Sequence, residues 1–271
     1  MPIERTPPLA IGLYSARAVL GLLGQALLGK PRPLYNLCFK VLDYECQETS
    51  GYLRHVELAD LFPASSAITV QSYTPLDRGA ASMTSDESVL LTTLVALLKP
   101  RTIFEIGTFR GNTTRTLARN LPEGGRIFTL DLPPDQYDSS DLRQHSSDLD
   151  NVQLSASHKP AIGDLYQKDP EVRDRVTQLL GSSASFDYSP YLGKIDFFFI
   201  DGAHSYDFVK NDTEKALPCL SPGGVVLWHD LKGGFRGIVQ FFEEFGATHE
   251  LHHFKGTSIV AYWPRGIPAG R

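Results

Sequence analysis

From residue 102 onward, short apolar runs alternate with stretches of helical length. The runs are rich in Ile, Val and Phe, which is typical of parallel strands buried on both faces of a sheet. They cover residues 102–106, 127–132, 176–180, 195–200 and 225–228. Two final runs, 250–254 and 257–262, flank Lys255-Gly256 and predict a closing, hairpin-like strand pair. The pattern predicts an α/β fold, a doubly wound and mostly parallel seven-stranded sheet.

Helices are predicted before this alternation begins. Thr84 and Glu87 have the spacing of a capping box, and apolar residues follow at helical spacing as far as Lys99. Residues 9–28 are almost continuously apolar, but Arg17 interrupts them, so a packing helix is favoured over a membrane anchor. This helix would be an N-terminal extension of the α/β fold.

The chain therefore divides into three parts. Residues 1–80 form an N-terminal helical arm and extension, residues 81–265 form the α/β domain, and residues 266–271 form a tail. Within the arm, residues 35–78 carry no recognisable chemistry. The Asp- and Ser-rich segment 133–151 predicts either a mobile lid or a plain solvated loop.

Composition narrows the class of partner. With 271 residues, 42% of them hydrophobic, the chain has the composition of a globular protein. Its net charge of -5 disfavours nucleic acid, so we expect a small-molecule substrate. Three cysteines without a C-x-x-C pair, and no recognisable secretory signal, predict a cytoplasmic protein. The apolar face of the N-terminal helix leaves self-association and membrane contact open.

The strongest motif joins a strand to a helix through a glycine turn, within residues 103–114. Gly107 and Gly111 lack a Cβ atom, so the backbone can bend sharply and approach a ligand, while the helix start offers free N–H groups. Asp131 ends the next strand, twenty residues after Gly111, where a carboxylate can accept hydrogen bonds from ribose hydroxyls. The spacing predicts a nucleoside-binding crevice.

A second motif places polar side chains after two later strands, within residues 195–206 and 220–230. Asp201 follows the first of these strands, and Asp230 follows the second. Ligands of open α/β sheets bind beyond the carboxyl ends of the strands. We therefore expect both carboxylates to face the crevice onto which Gly107 opens.

The segment Glu105-x-Gly107-x-x-x-Gly111 resembles the first motif of class I S-adenosylmethionine-dependent methyltransferases, especially the catechol-type and sugar O-methyltransferases. The Ser-Pro-Gly-Gly turn at 221–224 and the Asp-Gly-x-His-Ser-Tyr segment at 201–206 resemble the same family. The similarity spans about residues 83–263. It implies a Rossmann-like methyltransferase fold, S-adenosyl-L-methionine as cofactor, and methyl transfer to a small molecule, most readily at a hydroxyl oxygen.

The resemblance also assigns residues to the cofactor. The glycine turn would cradle the methionine part, Asp131 would hold the ribose, and the serines after the third strand would lie beside adenine. Ser182 stands where relatives often have an acid, which weakens its match to the adenine amino group. The residues assigned to the cofactor site are Glu105, Gly107, Thr108, Gly111, Asn112, Thr113, Asp131, Ser182, Ser183 and Asp201.

Asp201, His229 and Asp230 are candidate ligands of a divalent metal such as Mg²⁺. The alternative is that Asp201 contacts the cofactor, while His229 and Asp230 bond loop backbone. His204 lies three residues after Asp201, where catechol-type relatives place a proton-accepting lysine. His204 and Asp201 are therefore the candidate catalytic residues, although His204 could instead be a packing group.

Two rival functions share some of these features. An NAD(P)-dependent oxidoreductase also has a glycine turn and a later acid, but residues 107–111 do not read G-x-G-x-x-G. A non-catalytic nucleoside-binding module would need the crevice, but it would not need Asp201, His204 and Asp230 beside it. Binding of labelled cofactor and transfer of its methyl group would separate the three.

Overall fold

The computed structural model describes residues 8–29, 32–48, 50–73, 83–133 and 162–268. Its strands are β1 (Arg54–Val56), β2 (Thr102–Ile106), β3 (Arg126–Asp131), β4 (Val176–Leu180), β5 (Ile195–Ile200), β6 (Leu220–Trp228), β7 (His252–Phe254) and β8 (Val260–Tyr262). Its α-helices are α1 (Pro8–Leu27), α2 (Arg32–Glu48), α3 (Leu58–Leu61), α4 (Ser85–Leu98), α5 (Asn112–Asn120), α6 (Asp164–Gln167), α7 (Tyr206–Cys219) and α8 (Arg236–Gly246). Short 3-10 turns occupy Pro63–Ala67, Arg173–Arg175 and Ser189–Tyr191.

All eight strands form one sheet in the order β1-β7-β8-β6-β5-β2-β3-β4. Only β8 runs antiparallel to its neighbours, β6 and β7. The doubly wound, mostly parallel α/β fold is therefore confirmed, with one strand more than the seven expected. The additional strand is β1, which pairs in parallel with β7 at the sheet edge.

Alternate residues of each central strand enter different core layers, because successive side chains point to opposite faces. Ile103 and Phe197 pack in a layer with α4 and α5. Phe104 and Phe198 pack in the other layer, with α7, α8 and Cys46 of α2. All four strand residues are fully buried, as a sheet covered on both faces requires.

The predicted capping box is present at the start of α4. The Thr84 side chain accepts from the Glu87 amide, and the Glu87 carboxylate accepts from the Thr84 amide at 2.9 Å. The helix ends at Lys99, whose φ of 49° lies in the left-handed region. The strand predicted at 225–228 begins earlier, at Leu220, which pairs with Ile195 of β5; the Ser-Pro-Gly-Gly segment lies at an irregularity before Val225 pairs with Phe197.

The N-terminal helix agrees with the apolar run, whereas α2 was not predicted. Among the residues that the structure describes, no helix is long and apolar enough to cross a bilayer. The predicted boundary at residue 80 lies outside the described residues. So does the segment proposed as a lid, apart from its first residue, Pro133.

Candidate active site

The candidate site lies where the strand order reverses, between β2 and β5. Chain connections leave these two strands in opposite directions across the sheet, which opens a crevice at their carboxyl ends. Gly107 follows β2 and Asp201 follows β5. A hydrogen bond of 2.9 Å from the Asp201 amide to the Ile106 carbonyl joins the two strand ends.

The glycine turn after β2 is tightly packed. Gly107 has a φ of 97°, and a Cβ atom there would lie 2.0 Å from the Asp201 carbonyl oxygen. Gly111 has a φ of 76°, and its Cβ would lie 2.5 Å from the ring of Tyr166. Because L side chains rarely adopt these backbone angles, both positions require glycine. The turn leads directly into α5, whose first N–H groups face the crevice side of the sheet.

Asp131 fixes the shape of this turn. One carboxylate oxygen accepts from the Thr108 amide at 3.1 Å and the Phe109 amide at 2.7 Å, while the other accepts from the Leu132 amide at 2.8 Å. Burial raises the pKa of Asp131, and these three backbone hydrogen bonds oppose the rise. The predicted ribose-binding acid therefore holds the glycine turn in place from the neighbouring strand.

Glu105 lies within β2, fully buried beneath the turn. Its Oε2 accepts hydrogen bonds of 2.5 Å from the hydroxyls of Thr114 and Thr129. Its Oε1 is buried and has no hydrogen-bond partner among the described residues. Burial raises the pKa of Glu105 to about 8, and the two threonine bonds only partly oppose this.

The other predicted cofactor residues surround the same turn. The Thr108 hydroxyl bonds that of Thr129 at 2.7 Å, and the Asn112 side-chain amide donates to the Tyr73 carbonyl at 3.2 Å. Asn112 and Thr113 also line a small cavity between α4 and α5.

Ser182 and Ser183 follow β4, whose end is joined to β3 by a 3.0 Å bond from the Gly181 amide to the Asp131 carbonyl. Ser182 is partly exposed and Ser183 is buried. Beside them lies Asp212 of α7, which the sequence had not singled out. It is buried, bonds Asn211 at 2.9 Å, and burial raises its pKa to about 6.

A cluster of acids surrounds His229 at the ends of β5 and β6. The His229 Nδ1 lies 2.9 Å from Asp201 and 3.3 Å from Asp230, and its Nε2 lies 3.3 Å from Glu87. Glu87 reaches the cluster from the start of α4 and also accepts from the Ser258 amide at 2.9 Å. The structure thus brings together all three candidate metal ligands and one acid known only as a helix cap.

The cluster favours its charged forms. Burial would lower the pKa of His229, but the charges of Asp230 and Asp201 outweigh burial and raise it well above its usual value. Burial likewise opposes ionisation of Asp230, yet His229, His204 and Lys232 hold its pKa well below the usual range. An imidazolium at position 229 therefore balances part of the negative charge.

His204 lies on the other side of Asp230. Its Nε2–H donates to the Asp230 carboxylate at 2.9 Å, and its ring stacks on Phe235 with centroids 4.1 Å apart. The side chain is buried. Lys232 donates to the second oxygen of Asp230. Lys232 and Phe235 carried no pattern in the sequence, because only the turn after β6 brings them to His204.

The described residues contain one group of three potential metal ligands, Asp201, His229 and Asp230, whose ligand atoms all lie within 4.8 Å of one another. Their donor set fits a divalent cation if His229 is neutral. A metal ion and the proton on Nδ1 would then compete for the same position.

Helix α2 contacts the loop that carries Lys232. Asp43 accepts from the Gly233 amide at 2.8 Å, and Gln47 donates to the Leu231 carbonyl at 2.6 Å. A Cβ atom on Gly233 would lie 2.4 Å from the Leu42 backbone. The N-terminal arm is therefore packed directly against one wall of the candidate site.

The crevice between β2 and β5 has a glycine turn, an acid at the end of β3 and an ionised cluster on its opposite side. Together these features define a ligand-binding α/β domain. Residues 104–231 match the family model described as a methyltransferase domain. The matched segment contains both of the sequence motifs described above.

Individual relatives cover less of the sequence. The chain is 26% identical to catechol O-methyltransferase domain-containing protein 1 of Mus musculus over 166 residues, 56% of this chain and 52% of that protein. It is 34% identical to tapetum-specific methyltransferase 1 of Arabidopsis thaliana over 90 residues, 33% of this chain and 36% of that protein. The chain thus spans about half or less of the length of these curated relatives.

Among solved structures, an O-methyltransferase of Bacillus cereus in complex with SAH is 23% identical. That likeness covers 68% of this chain and 84% of the other, with a TM-score of 0.48. The O-methyltransferase TomG of Streptomyces achromogenes, in complex with SAM, is 21% identical over 77% of this chain and 99% of the other, with a TM-score of 0.48.

Proposed function

We propose that the protein is an S-adenosylmethionine-dependent methyltransferase that acts on a hydroxyl oxygen of a small molecule. The observation that carries this proposal is the contact between Gly107 and the Asp201 backbone. It makes the nucleoside crevice and the acid–histidine cluster two sides of one site. The catechol and tapetum relatives support the reaction class by their names.

The residues of the crevice fit this cofactor. After binding three backbone amides, Asp131 keeps one lone pair, on Oδ1, for a ribose hydroxyl. The glycine turn presents backbone rather than side chain. Glu105 has one unpartnered oxygen, and a nearby ammonium group would offset the cost of its burial. Gly107, Thr108, Gly111, Asn112, Thr113, Ser182 and Ser183 complete the proposed cofactor site.

When bound, S-adenosylmethionine supplies a methyl group on a sulfonium, which is a good leaving group. The chain's own residues prepare the acceptor. The Nε2–H of His204 is donated to Asp230, which holds the ring beside the cluster as the candidate base for the acceptor's hydroxyl proton. Asp230 and Phe235 fix the orientation of the ring. Asp201 and protonated His229 supply charge at the edge where the acceptor oxygen would lie.

A divalent cation at Asp201, His229 and Asp230 is the second arrangement that these side chains allow. We propose that it is not required, because the His229 proton and the Lys232 ammonium already offset the charge of the two acids.

Three free cysteines support a cytoplasmic location.

The test is isothermal titration of the full chain with S-adenosylmethionine, its demethylated product and NAD⁺, each with Mg²⁺ and with a chelator. We expect the first two to bind under both conditions and NAD⁺ not to bind. Transfer of labelled methyl to a panel of phenols and sugars then tests the reaction. Binding of NAD⁺ alone would overturn the proposal, and binding that needs Mg²⁺ would establish the metal arrangement.

A further inference from the structure

Exposed apolar side chains are concentrated at the N-terminus. Among the described residues, ten large hydrophobic side chains are exposed, and seven of them lie on α1, its C-terminal end or α2. The seven are Val19, Leu20, Leu23, Leu27, Leu28, Val41 and Tyr44. Leu27 is 90% exposed and Leu28 is 80% exposed. Scattered exposed leucines need no explanation, but a contiguous group marks a surface that binds something.

The helix geometry arranges these side chains in a stripe. Leu20, Leu23 and Leu27 are spaced three and four residues apart, so they share one face of α1. Leu22 and Ala26, which are also four residues apart, are partly buried. The α1 helix therefore packs one side against α2 and leaves an apolar stripe uncovered.

The charge of this region differs from that of the whole chain. From residue 8 to residue 32 there are three basic residues, Arg17, Lys30 and Arg32, and no acidic residue, whereas α2 adds Lys40 together with Asp43, Glu45 and Glu48. The protein as a whole has a net charge of -5. An apolar stripe within a locally cationic segment is complementary to a surface that is apolar inside and negatively charged outside.

We propose that α1 binds the surface of a membrane containing anionic phospholipid, lying in the plane of the interface. Leu20, Leu23 and Leu27 enter the boundary between headgroups and acyl chains, and the positive charge of this part of the sequence favours an anionic surface. A second copy of the chain fits this face less well, because symmetric pairing would bring the same cations together. The helix binds the surface without spanning it, in agreement with its length and hydropathy.

The experiment is cosedimentation of the full chain with vesicles of phosphatidylcholine alone and of phosphatidylcholine mixed with phosphatidylglycerol. We expect binding to the mixed vesicles that weakens as salt is added, and much weaker binding to the neutral ones. The triple variant Leu20→Gln, Leu23→Gln, Leu27→Gln should bind roughly tenfold or more weakly. Lys40→Glu should weaken binding and its salt dependence.

Matched controls separate this surface from general effects. Leu180→Gln with Leu192→Gln changes exposed leucines elsewhere, and Lys215→Glu changes an exposed lysine of α7. These controls should bind like the unaltered protein, and circular dichroism should show every variant folded. The proposal is overturned if the unaltered chain ignores the mixed vesicles, or if the controls lose binding equally. It is also overturned if light scattering shows a dimer that the triple leucine variant dissociates.

Discussion

Glu105 is an acid held where ionisation is costly. Burial raises its pKa from the ordinary 4.5 to about 8, so the folded chain keeps this proton over a pH range where the unfolded chain has lost it. Its contribution to stability is therefore complete below 4.5 and is lost as pH rises through about 8. Glutamine has nearly the shape of the protonated acid and does not titrate.

We expect Glu105→Gln to raise the free energy of unfolding relative to the unaltered chain at the upper end of this pH range. At the lower end the two proteins should be nearly equal. Urea unfolding at several pH values measures the difference, so the other titrating groups cancel. If the two curves of unfolding free energy against pH stay parallel, Glu105 is already ionised in the folded chain over this range. The same variant should bind S-adenosylmethionine more weakly, since its amide cannot offset an ammonium charge.

His204 is the residue that the proposed reaction uses most directly. We expect His204→Ala to lower turnover by roughly 10²- to 10⁴-fold, the usual contribution of a general base, with little change in cofactor affinity. His204→Gln preserves a donor to Asp230 but has no basic nitrogen, so it should be equally slow. His249→Ala, in a histidine after α8, serves as the control. Unchanged turnover in His204→Gln would make the ring a packing group.

At the scale of elements, α2 and the loop after β6 act together. Asp43 accepts the Gly233 amide and Gln47 donates to the Leu231 carbonyl, so the loop holding Lys232 is fixed from a helix almost two hundred residues earlier. Neither residue contacts the glycine turn. A loss of this contact should therefore affect the reaction and leave the cofactor site intact.

We expect Asp43→Ala to reduce turnover about tenfold, because a partly buried amide loses its acceptor and the loop loses its fixed position. Cofactor affinity should remain the same. Asp43→Asn keeps an oxygen acceptor and should restore most of the activity. Steady-state kinetics with titration calorimetry separates the two effects. Equal losses in both variants would show that charge, rather than loop position, is the relevant property.

Two histidine side chains meet where β1 pairs with β7. His55 and His253 approach at 3.0 Å between their Nδ1 atoms, and the His253 Nε2–H donates to the Thr257 carbonyl at 2.8 Å. The pKa of His253 is lowered from 6.5 to about 4, chiefly by burial and also by His55, while the Thr257 hydrogen bond and Glu48 oppose the shift. Because the folded pKa is depressed, the stability it provides is present above 6.5 and lost as pH falls toward 4.

We expect the amides of β1 to lose protection as pH falls through this range. Hydrogen exchange, corrected for the intrinsic rate at each pH, would report the opening as faster exchange at Arg54–Val56 than at β2. In His253→Gln the pH step should disappear, since glutamine does not titrate. A step that persists in this variant would assign the opening to another group.

For the whole molecule, the sequence was most informative where local pattern and tertiary position coincide. Buried parallel strands are continuous apolar runs, so β2 to β6 were visible, and Thr84 with Glu87 marked the start of α4. The three residues of β1 are too few to form a pattern, and the partner strand supplies most of their stability. Nor could local spacing reveal that Glu87 reaches His229, or that Lys232 pairs with Asp230, because these contacts depend on how distant elements pack.

Because synthesis proceeds from the N-terminus, the pairing of β1 with β7 at the sheet edge can form only after a delay. His55 and His253 are separated by 198 residues, so β1 has no partner until β7 has been synthesised. At roughly 5–20 residues per second this delay lasts on the order of 10–40 s. Throughout that time the leucines of α1 are available to a chaperone or a lipid surface, while the nascent chain can already form β2 and β3. The arm is thus synthesised well before β7 and the loop after β6, the elements against which it packs.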